Sequence, residues 1–368
     1  MVRTVFILVV AIHGLVHLLG FAKAFGYARL PQLTLPIPRS MGILWLVAAG
    51  LLVAAATAVV AWPRGWWMLG ALALLASQGA IISAWHDARF GTIANLVLLL
   101  GVAYAFASRG PSSLGATYER HVRAIPPAAP SPALTEADLA PLPAPVQRYV
   151  RGAGALGRPR PNSFRAAWTG RIRGGATEPW MAFTAEQVST LEPPRRFFKM
   201  DAVLKGLPVD VLHVYDDAGA TMRVKVLSVY PMADARGPEL TRAETVTVFN
   251  DLCVLAPATL TSPRIRWQPV DASTARAWFT AGGNTISAEL RFDAAGELVD
   301  FVSDDRRASS ADGRSFTPMR WSTPLRDYTA RGPARVATHG DAVWSPAAGP
   351  AYVYGEFDLT ALSYDPRP

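Results

Sequence analysis

The sequence predicts a membrane α-helical domain of about four transmembrane helices, followed by a mainly antiparallel β domain: a curved sheet or half-barrel with one amphipathic helix. Three observations predict it. The first 110 residues hold four long apolar runs and a single acid, Asp87. A stretch rich in Pro and Ala follows. Beyond it, apolar and polar residues alternate with period two in segment after segment, the mark of antiparallel strands with one buried face.

Crossing about 30 Å of hydrocarbon takes roughly 20 mostly apolar residues. Residues 4–21, 41–62, 66–85 and 92–108 meet that requirement. Pro63-Arg64-Gly65 breaks the second run from the third, because a helix cannot continue through it. Trp62, Trp66, Trp67 and Trp85 fall at run ends, where an amphipathic ring sits best at a membrane–water boundary. Arg3, the first run and Ala22-Lys23-Ala24 also resemble a secretory signal peptide. Two histidines within that run and three further runs behind it favour an uncleaved span.

Charge is divided unevenly. Seven bases (Arg3, Lys23, Arg29, Arg39, Arg64, Arg89 and Arg109) precede Gly110 against one acid, which leaves 29 bases and 27 acids for the remainder. The formal +8 therefore belongs mostly to segments flanking the apolar runs, and no basic stripe with interleaved aromatics points to nucleic acid. With four spans, five flanking bases fall on one side and four on the other, so the positive-inside rule leaves the side of the β domain undetermined. A single cysteine, Cys253, excludes an intramolecular disulfide framework.

Polar residues inside apolar runs are costly and count as functional candidates. His13 and His17 lie four residues apart on one helix face. They can hydrogen-bond to neighbouring helices through Ser77, Gln78 or Ser83, carry a proton, or share a metal or haem. His86 and Asp87 stand in the polar run 85–91, where an Asp87–Arg89 ion pair is expected. Three domains are expected: a transmembrane domain 1–108, a Pro/Ala-rich linker 109–145 and a soluble domain 146–368.

In the soluble domain, 284–292 sets Ile286, Ala288, Leu290 and Phe292 against Thr285, Ser287, Glu289 and Arg291. Residues 221–226 and 264–268 alternate as cleanly. Further strands are expected at 167–173, 181–188, 197–203, 209–215, 298–303 and 352–359, with turns at Gly282-Gly283 and 293–296. Thr241-Arg-Ala-Glu244 matches a capping box, and Val248, Phe249, Leu252 and Leu255 form a helical apolar stripe that Pro257 ends.

Several strings carry a resemblance. Gly237-Pro-Glu-Leu-Thr-Arg-Ala-Glu-Thr245, Phe249-Asn-Asp-Leu252, Gly282-Gly-Asn-Thr-Ile-Ser-Ala-Glu-Leu290, Leu298-Val-Asp-Phe-Val-Ser-Asp-Asp-Arg306 and Tyr354-Gly-Glu-Phe357 resemble a bacterial family known only as a domain of unknown function. His13-Gly-Leu-Val-His17-Leu-Leu-Gly-Phe21 resembles the multi-span prefix of some members. The resemblance implies a bacterial cytoplasmic-membrane protein and brings no activity or catalytic residues. In strand order alone, the domain is also similar to the half-barrel of outer-membrane lipoprotein carriers, which hold acyl chains.

Candidate side chains for chemistry are sparse. Asp304-Asp305-Arg306-Arg307 follows a strand end, but adjacent residues on an extended chain point apart, so mutual ion pairing is expected. Trp321, Arg326 and Tyr328 are ligand-binding candidates for an anionic or amphiphilic molecule, and Glu356 shares a face with Tyr352, Tyr354 and Asp358. His213 and Glu244 read as structural. No nucleophile elbow, phosphate loop, zinc helix or calcium loop occurs, so neither catalysis nor a cofactor is expected. The leading reading is binding of a lipid or other hydrophobic small molecule at the cell envelope. The alternatives are a membrane redox or metal protein using the histidines, and a tethered module that docks an envelope protein.

Overall fold

The computed structural model describes residues 2–127, 129–332 and 334–366, and the chain divides into two compact units, Met1–Ala116 and Thr117–Pro368.

The first unit contains α1 (Val2–Ala24), α2 (Arg39–Ala61), α3 (Trp66–Ser83), the single turn α4 (Trp85–Ala88) and α5 (Gly91–Arg109). All four long helices are apolar and long enough to cross a membrane, and each expected run falls on one of them. Small residues set how closely they approach. A Cβ on Gly20 would lie 2.2 Å from the Trp45 ring, and one on Gly14 would lie 3.1 Å from Leu52 Cβ. Glycine at these positions lets α1 pack directly on α2, as tight helix pairs in membranes require. Val10, Leu52, Ala73 and Leu98 fill the centre, while Leu8, Leu15, Leu72, Leu75 and Leu100 face outward. Helices apolar all round in this way suit a hydrocarbon solvent.

The stretch expected to be a linker is largely folded. It contains α6 (Leu114–Arg123) and α7 (Glu136–Leu139), and α8 (Ala144–Gly152) follows. Thr135 and Asp138 cap α7 reciprocally. Leu134, Leu139 and Leu142 are buried in the main core beside Val146 and Tyr149, and the Tyr149 hydroxyl donates to Cys253 O at 2.8 Å. Three leucines spaced among prolines were enough to dock this segment. Backbone without regular structure remains around Pro126, Pro127, Pro130 and Pro132.

The second unit is built from β1 (Ser163–Ile172), β2 (Met181–Leu191), β3 (Pro194–Leu204), β4 (Leu207–Asp216), β5 (Gly219–Val226), β6 (Tyr230–Arg236), α9 (Pro238–Leu255), β7 (Ile265–Pro269), β8 (Thr274–Ala281), β9 (Asn284–Phe292), β10 (Leu298–Ser303), β11 (Arg307–Ser309), β12 (Phe316–Pro318), β13 (Arg320–Ser322), β14 (Leu325–Arg331), β15 (Ala334–Ser345) and β16 (Tyr352–Tyr364). Fourteen strands form one antiparallel sheet in the order β6-β5-β4-β3-β2-β1-β16-β15-β13-β10-β9-β8-β7, with β14 beside β15, and β11 and β12 pair only with each other. The sheet stays open, with edges at β6 and β7. Bulges at Met232, Val299, Tyr354 and Thr360 interrupt the ladders and add local bend. Helix α9 touches β3, β5 and β6 of one half and β9, β10 and β15 of the other, so the sheet curves around it.

The start of α9 differs from what the sequence predicts. The helix begins at Pro238 after Gly237, whose φ of 109° suits glycine. Thr241 and Glu244 thus lie inside the helix and form no capping box; the Thr241 hydroxyl instead donates to Gly237 O at 2.9 Å and accepts from Ala220 N at 3.0 Å. Nor does α9 have a solvent face. From Leu240 to Leu255 only Arg242 and Asp251 are less than fully buried, because sheet surrounds the helix on both sides. One flank packs into the core, where Phe249 stacks on Phe279 (4.9 Å between centroids, 9° between planes) and meets Phe301 edge-on at 5.6 Å.

Phe249 holds helix and sheet together at this point. Phe249→Ala is expected to cost about 3–5 kcal/mol, read as a lowered denaturant midpoint, whereas Val229→Ala at an exposed turn should change it by less than about 0.5 kcal/mol.

Candidate functional site

The other flank of α9 faces a cavity of about 340 Å³ inside the second unit. Leu240, Ala243, Glu244, Thr247, Asp251 and Val254 line it from the helix. Their spacing of three and four places them on one stripe. Opposite, strand register assembles a row: Gln187 of β2 pairs with Phe198 of β3, Phe198 with His213 of β4, and His213 with Met222 of β5. Arg196 and Met200 share that face by alternation along β3. Trp168 of β1 and Phe357 of β16 extend the apolar wall.

A third wall comes from β13, β15 and β16. Trp321 and Trp344 are direct cross-strand partners, so their indoles lie on one face. The bulge puts Tyr354 beside them; its hydroxyl accepts from Trp321 Nε1 at 3.0 Å, and its ring stacks on Trp344 at 5.4 Å. The β11–β12 hairpin adds Arg307, Ser309 and Phe316, and Arg307 Nη1 lies 3.5 Å from Glu239 of α9.

A buried charge cluster stands between these walls. Arg196 donates from Nε to Asp251 at 2.7 Å, and its Nη1 is 3.4 Å from Glu244. Glu244 also has Arg306 Nη2 at 3.7 Å and His213 Nδ1 at 3.6 Å, and His213 Nδ1 is buried without a hydrogen-bond partner among the described residues. The Arg306 guanidinium sits 4.6 Å from the Trp321 ring and 5.4 Å from the Trp344 ring, with Nε donating to Thr247 at 3.2 Å. Burial would raise the Glu244 carboxyl, but His213, Arg196 and Arg306 outweigh it and bring the group down to about 2. For Asp251 burial wins over Arg196, and its carboxyl is pushed up. Two carboxylates on one helical stripe, two turns apart, are thereby separated in acidity.

Of the residues expected to bind ligand, Trp321 is in the cavity wall. Arg326 donates to Asp341 at 2.8 Å from a half-exposed position. The Tyr328 hydroxyl donates to Leu298 O at 2.8 Å and its ring packs near Tyr149. Glu356 accepts two hydrogen bonds from Arg171, both at 2.7 Å. Asp304 and Asp305 do diverge, but the ion pairing expected within 304–307 is replaced by longer-range partners. Asp304 binds Arg320 at 2.8 Å, Asp305 binds Arg242 and the Ser287 amide, and Arg306 turns inward. Arg196, Asp251 and Trp344 escaped sequence reasoning. Glu244, Thr247 and Asp251, recurring every three to four residues beside an apolar stripe, were the available signal.

In the first unit, His13 and His17 of α1 meet Ser77 of α3 and Asn95 of α5. His17 Nδ1 lies 3.0 Å from His13 O, a carbonyl that only accepts, so Nδ1 carries the hydrogen. Ser77 Oγ is 3.0 Å from His17 Nε2, and His13 Nε2 is 3.0 Å from Asn95 Oδ1. The Asn95 amide donates to Gln78 at 2.9 Å. Ser77 Oγ also donates to Asn95 Oδ1 at 2.9 Å, so both imidazoles find partners inside the bundle, which explains two histidines among apolar helices. His86 lies apart from it, exposed, against Asp87. The expected Asp87–Arg89 pair does not form. Leu35 N–H at 2.9 Å and the Thr34 hydroxyl at 2.8 Å hold the Asp87 carboxyl well below its usual range, and Arg89 lies over the Phe90 ring. Among the described residues no group of three or more His, Cys, Asp or Glu is placed to hold a metal.

Fold and site together define an open antiparallel sheet curved around a helix, with an internal cavity, behind four apolar helices. The chain belongs to the family of unknown function DUF6544, whose model matches residues 132–357. No curated protein matches it in sequence. Among solved structures, a putative outer membrane lipoprotein-sorting protein domain from Vibrio parahaemolyticus is similar at 8% identity and a TM-score of 0.33, covering 55% of this chain and 85% of that one. A DUF1329 family protein from Desulfovibrio piger is similar at 10% identity and a TM-score of 0.29, covering 56% and 86%. No role is taken from either likeness.

The charge cluster makes a pH-dependent contribution to stability. The folded-state acidity of Glu244, about 2, lies below the ordinary 4.5; its contribution is therefore complete above that ordinary value and fades as pH falls toward 2. Glu244→Gln is expected to destabilise the protein by about 3–5 kcal/mol at pH 7. The gap between variant and wild type, followed by denaturant unfolding, should narrow below pH 4.5.

Proposed function

We propose that the second unit binds a lipid or other hydrophobic small molecule in its cavity, at the bacterial cell envelope. The four apolar helices would hold the chain in the cytoplasmic membrane. The observation that carries this reading is the cavity between α9 and the curved sheet. Its volume of about 340 Å³ falls within the roughly 300–1,000 Å³ of small-molecule sites. Phe198, Met200, Met222, Trp168 and Phe357 supply apolar wall, and flexible methionines suit an occupant of irregular shape. Such walls gain roughly 25 cal/mol for each Å² of apolar surface an occupant removes from water.

The segment from Gly110 onward, which carries its own core, is expected to retain lipid seen by native mass spectrometry and to quench tryptophan fluorescence on adding a brominated fatty acid. Absence of both would remove the reading. The full chain tests the redox or metal alternative at the same time. A featureless visible spectrum and no bound metal are expected, because Ser77 and Asn95 occupy the Nε2 atoms of His13 and His17. A haem band or stoichiometric metal would favour that alternative instead.

A further inference from the structure

The polar side of the cavity says what kind of head group its occupant carries. Four guanidinium groups, from Arg173, Arg196, Arg306 and Arg307, stand in the wall against three carboxylates, from Glu244, Asp251 and Asp341. Those carboxylates are already committed: Asp341 to Arg326 at 2.8 Å, Asp251 to Arg196 at 2.7 Å, and Glu244 to Arg196, His213 and Arg306 at 3.4–3.7 Å.

Arg306 is the buried group left with capacity; Arg307, 3.5 Å from Glu239, is about a third exposed. A guanidinium has five N–H donors. Among the described residues Arg306 spends one on a side chain, Nε to Thr247 at 3.2 Å, while its nearest carboxylate lies 3.7 Å away, beyond hydrogen-bond range. The Trp321 and Trp344 rings lie 4.6 and 5.4 Å from its guanidinium carbon, close enough for both to favour a cation there. In the same wall, His213 Nδ1, 3.6 Å from Glu244, is buried with no hydrogen-bond partner among the described residues. A planar donor fork matches an oxyanion through two parallel bonds. The neighbouring Phe198, Met200 and Met222 offer nothing to an ion and suit a hydrocarbon chain.

We propose that the occupant is a single-chain anionic amphiphile, with a carboxylate or phosphate head group on Arg306 and its chain along Phe198, Met200 and Met222. This rests on the cavity being a hydrophobic-ligand site and adds the charge of the ligand. A neutral ester of equal chain length fills the same apolar wall but leaves the guanidinium desolvated and unanswered, a difference of about tenfold or more in affinity.

The test uses the full chain in nanodiscs of zwitterionic phosphatidylcholine at pH 8, with empty nanodiscs as the blank. Displacement of a fluorescent fatty acid is measured for dodecanoate, dodecyl phosphate, methyl dodecanoate, dodecylamine and inorganic phosphate. Both amphiphilic anions are expected to displace the probe at least tenfold better than the ester, the amine should do worse than the ester, and inorganic phosphate alone should do nothing. Arg306→Gln should reduce the anions to the level of the ester and leave the ester unchanged. If that variant does not fold, Arg306→Lys keeps the charge without the planar fork and should lower the anion preference severalfold.

Equal displacement by acid and ester in the wild type overturns the head-group inference and leaves the hydrophobic site standing. No displacement by any amphiphile overturns the hydrophobic site itself. A variant that weakens acid and ester alike makes Arg306 a packing residue and overturns the inference, as does displacement by inorganic phosphate alone.

Discussion

A helix enclosed between the halves of a curved sheet leaves little of its surface to water, and α9 is in that position. Its carboxylates must find cations inside the protein or not ionise at all. Glu244 lies within 3.7 Å of Arg196, Arg306 and His213, and Asp251 takes a 2.7 Å hydrogen bond from Arg196. Removing one member strands another, so the cluster acts as a unit. It ties α9 to β3, to β4 and to the chain leaving β10, which belong to different halves of the sheet.

The apolar flank of α9 solves the opposite problem. Phe249, Leu252 and Cys253 pack into the core with β8, β9 and β10, and Tyr149 of α8 reaches Cys253 O from the far side. This anchoring extends the folded unit back through Leu142, Leu139 and Leu134 into a stretch whose prolines read as a spacer. In the first unit the constraint is similar but the answer is uncharged. Four side chains from three helices exchange hydrogen bonds around Ser77, and nothing in the arrangement calls for an ion.

How much was legible follows from the same physics. Strands β9 and β10 were read with their observed limits; in β9 one face is core and the other is not, and alternation records that contrast. Strands β6, β8 and β11–β15 were missed: β11, β12 and β13 have three residues each, and β14 has little buried on either face. Thr241–Glu244 imitated a capping box because the same residue types that cap a helix start also satisfy buried polar positions within one. Trp321 was recognised as a candidate, but its cross-strand partner Trp344 sits in a strand with no clean alternation. Arg306 was visible only as part of a run of four charges, and sequence adjacency hid that Asp304 and Asp305 bind partners outside the cavity while it turns in.

That inward turn gives the cavity its direction. Ser303 of β10 donates to Ser287 O at 2.6 Å, and Asp305 accepts from the Ser287 amide at the same distance. These bonds pin the chain on β9 at one residue's remove from Arg306, while Asp304 is held outward by Arg320. With 304 and 305 fixed from outside, the next side chain enters beside the Trp321–Trp344 pair. Arginine tolerates this setting better than lysine would, because its delocalised charge is weakly hydrated and its plane stacks on indole. The aromatic pair thus lowers the cost of keeping a cation in an apolar chamber. It leaves the edge of the guanidinium, where its N–H groups point, as the part of that wall best able to discriminate between occupants by charge.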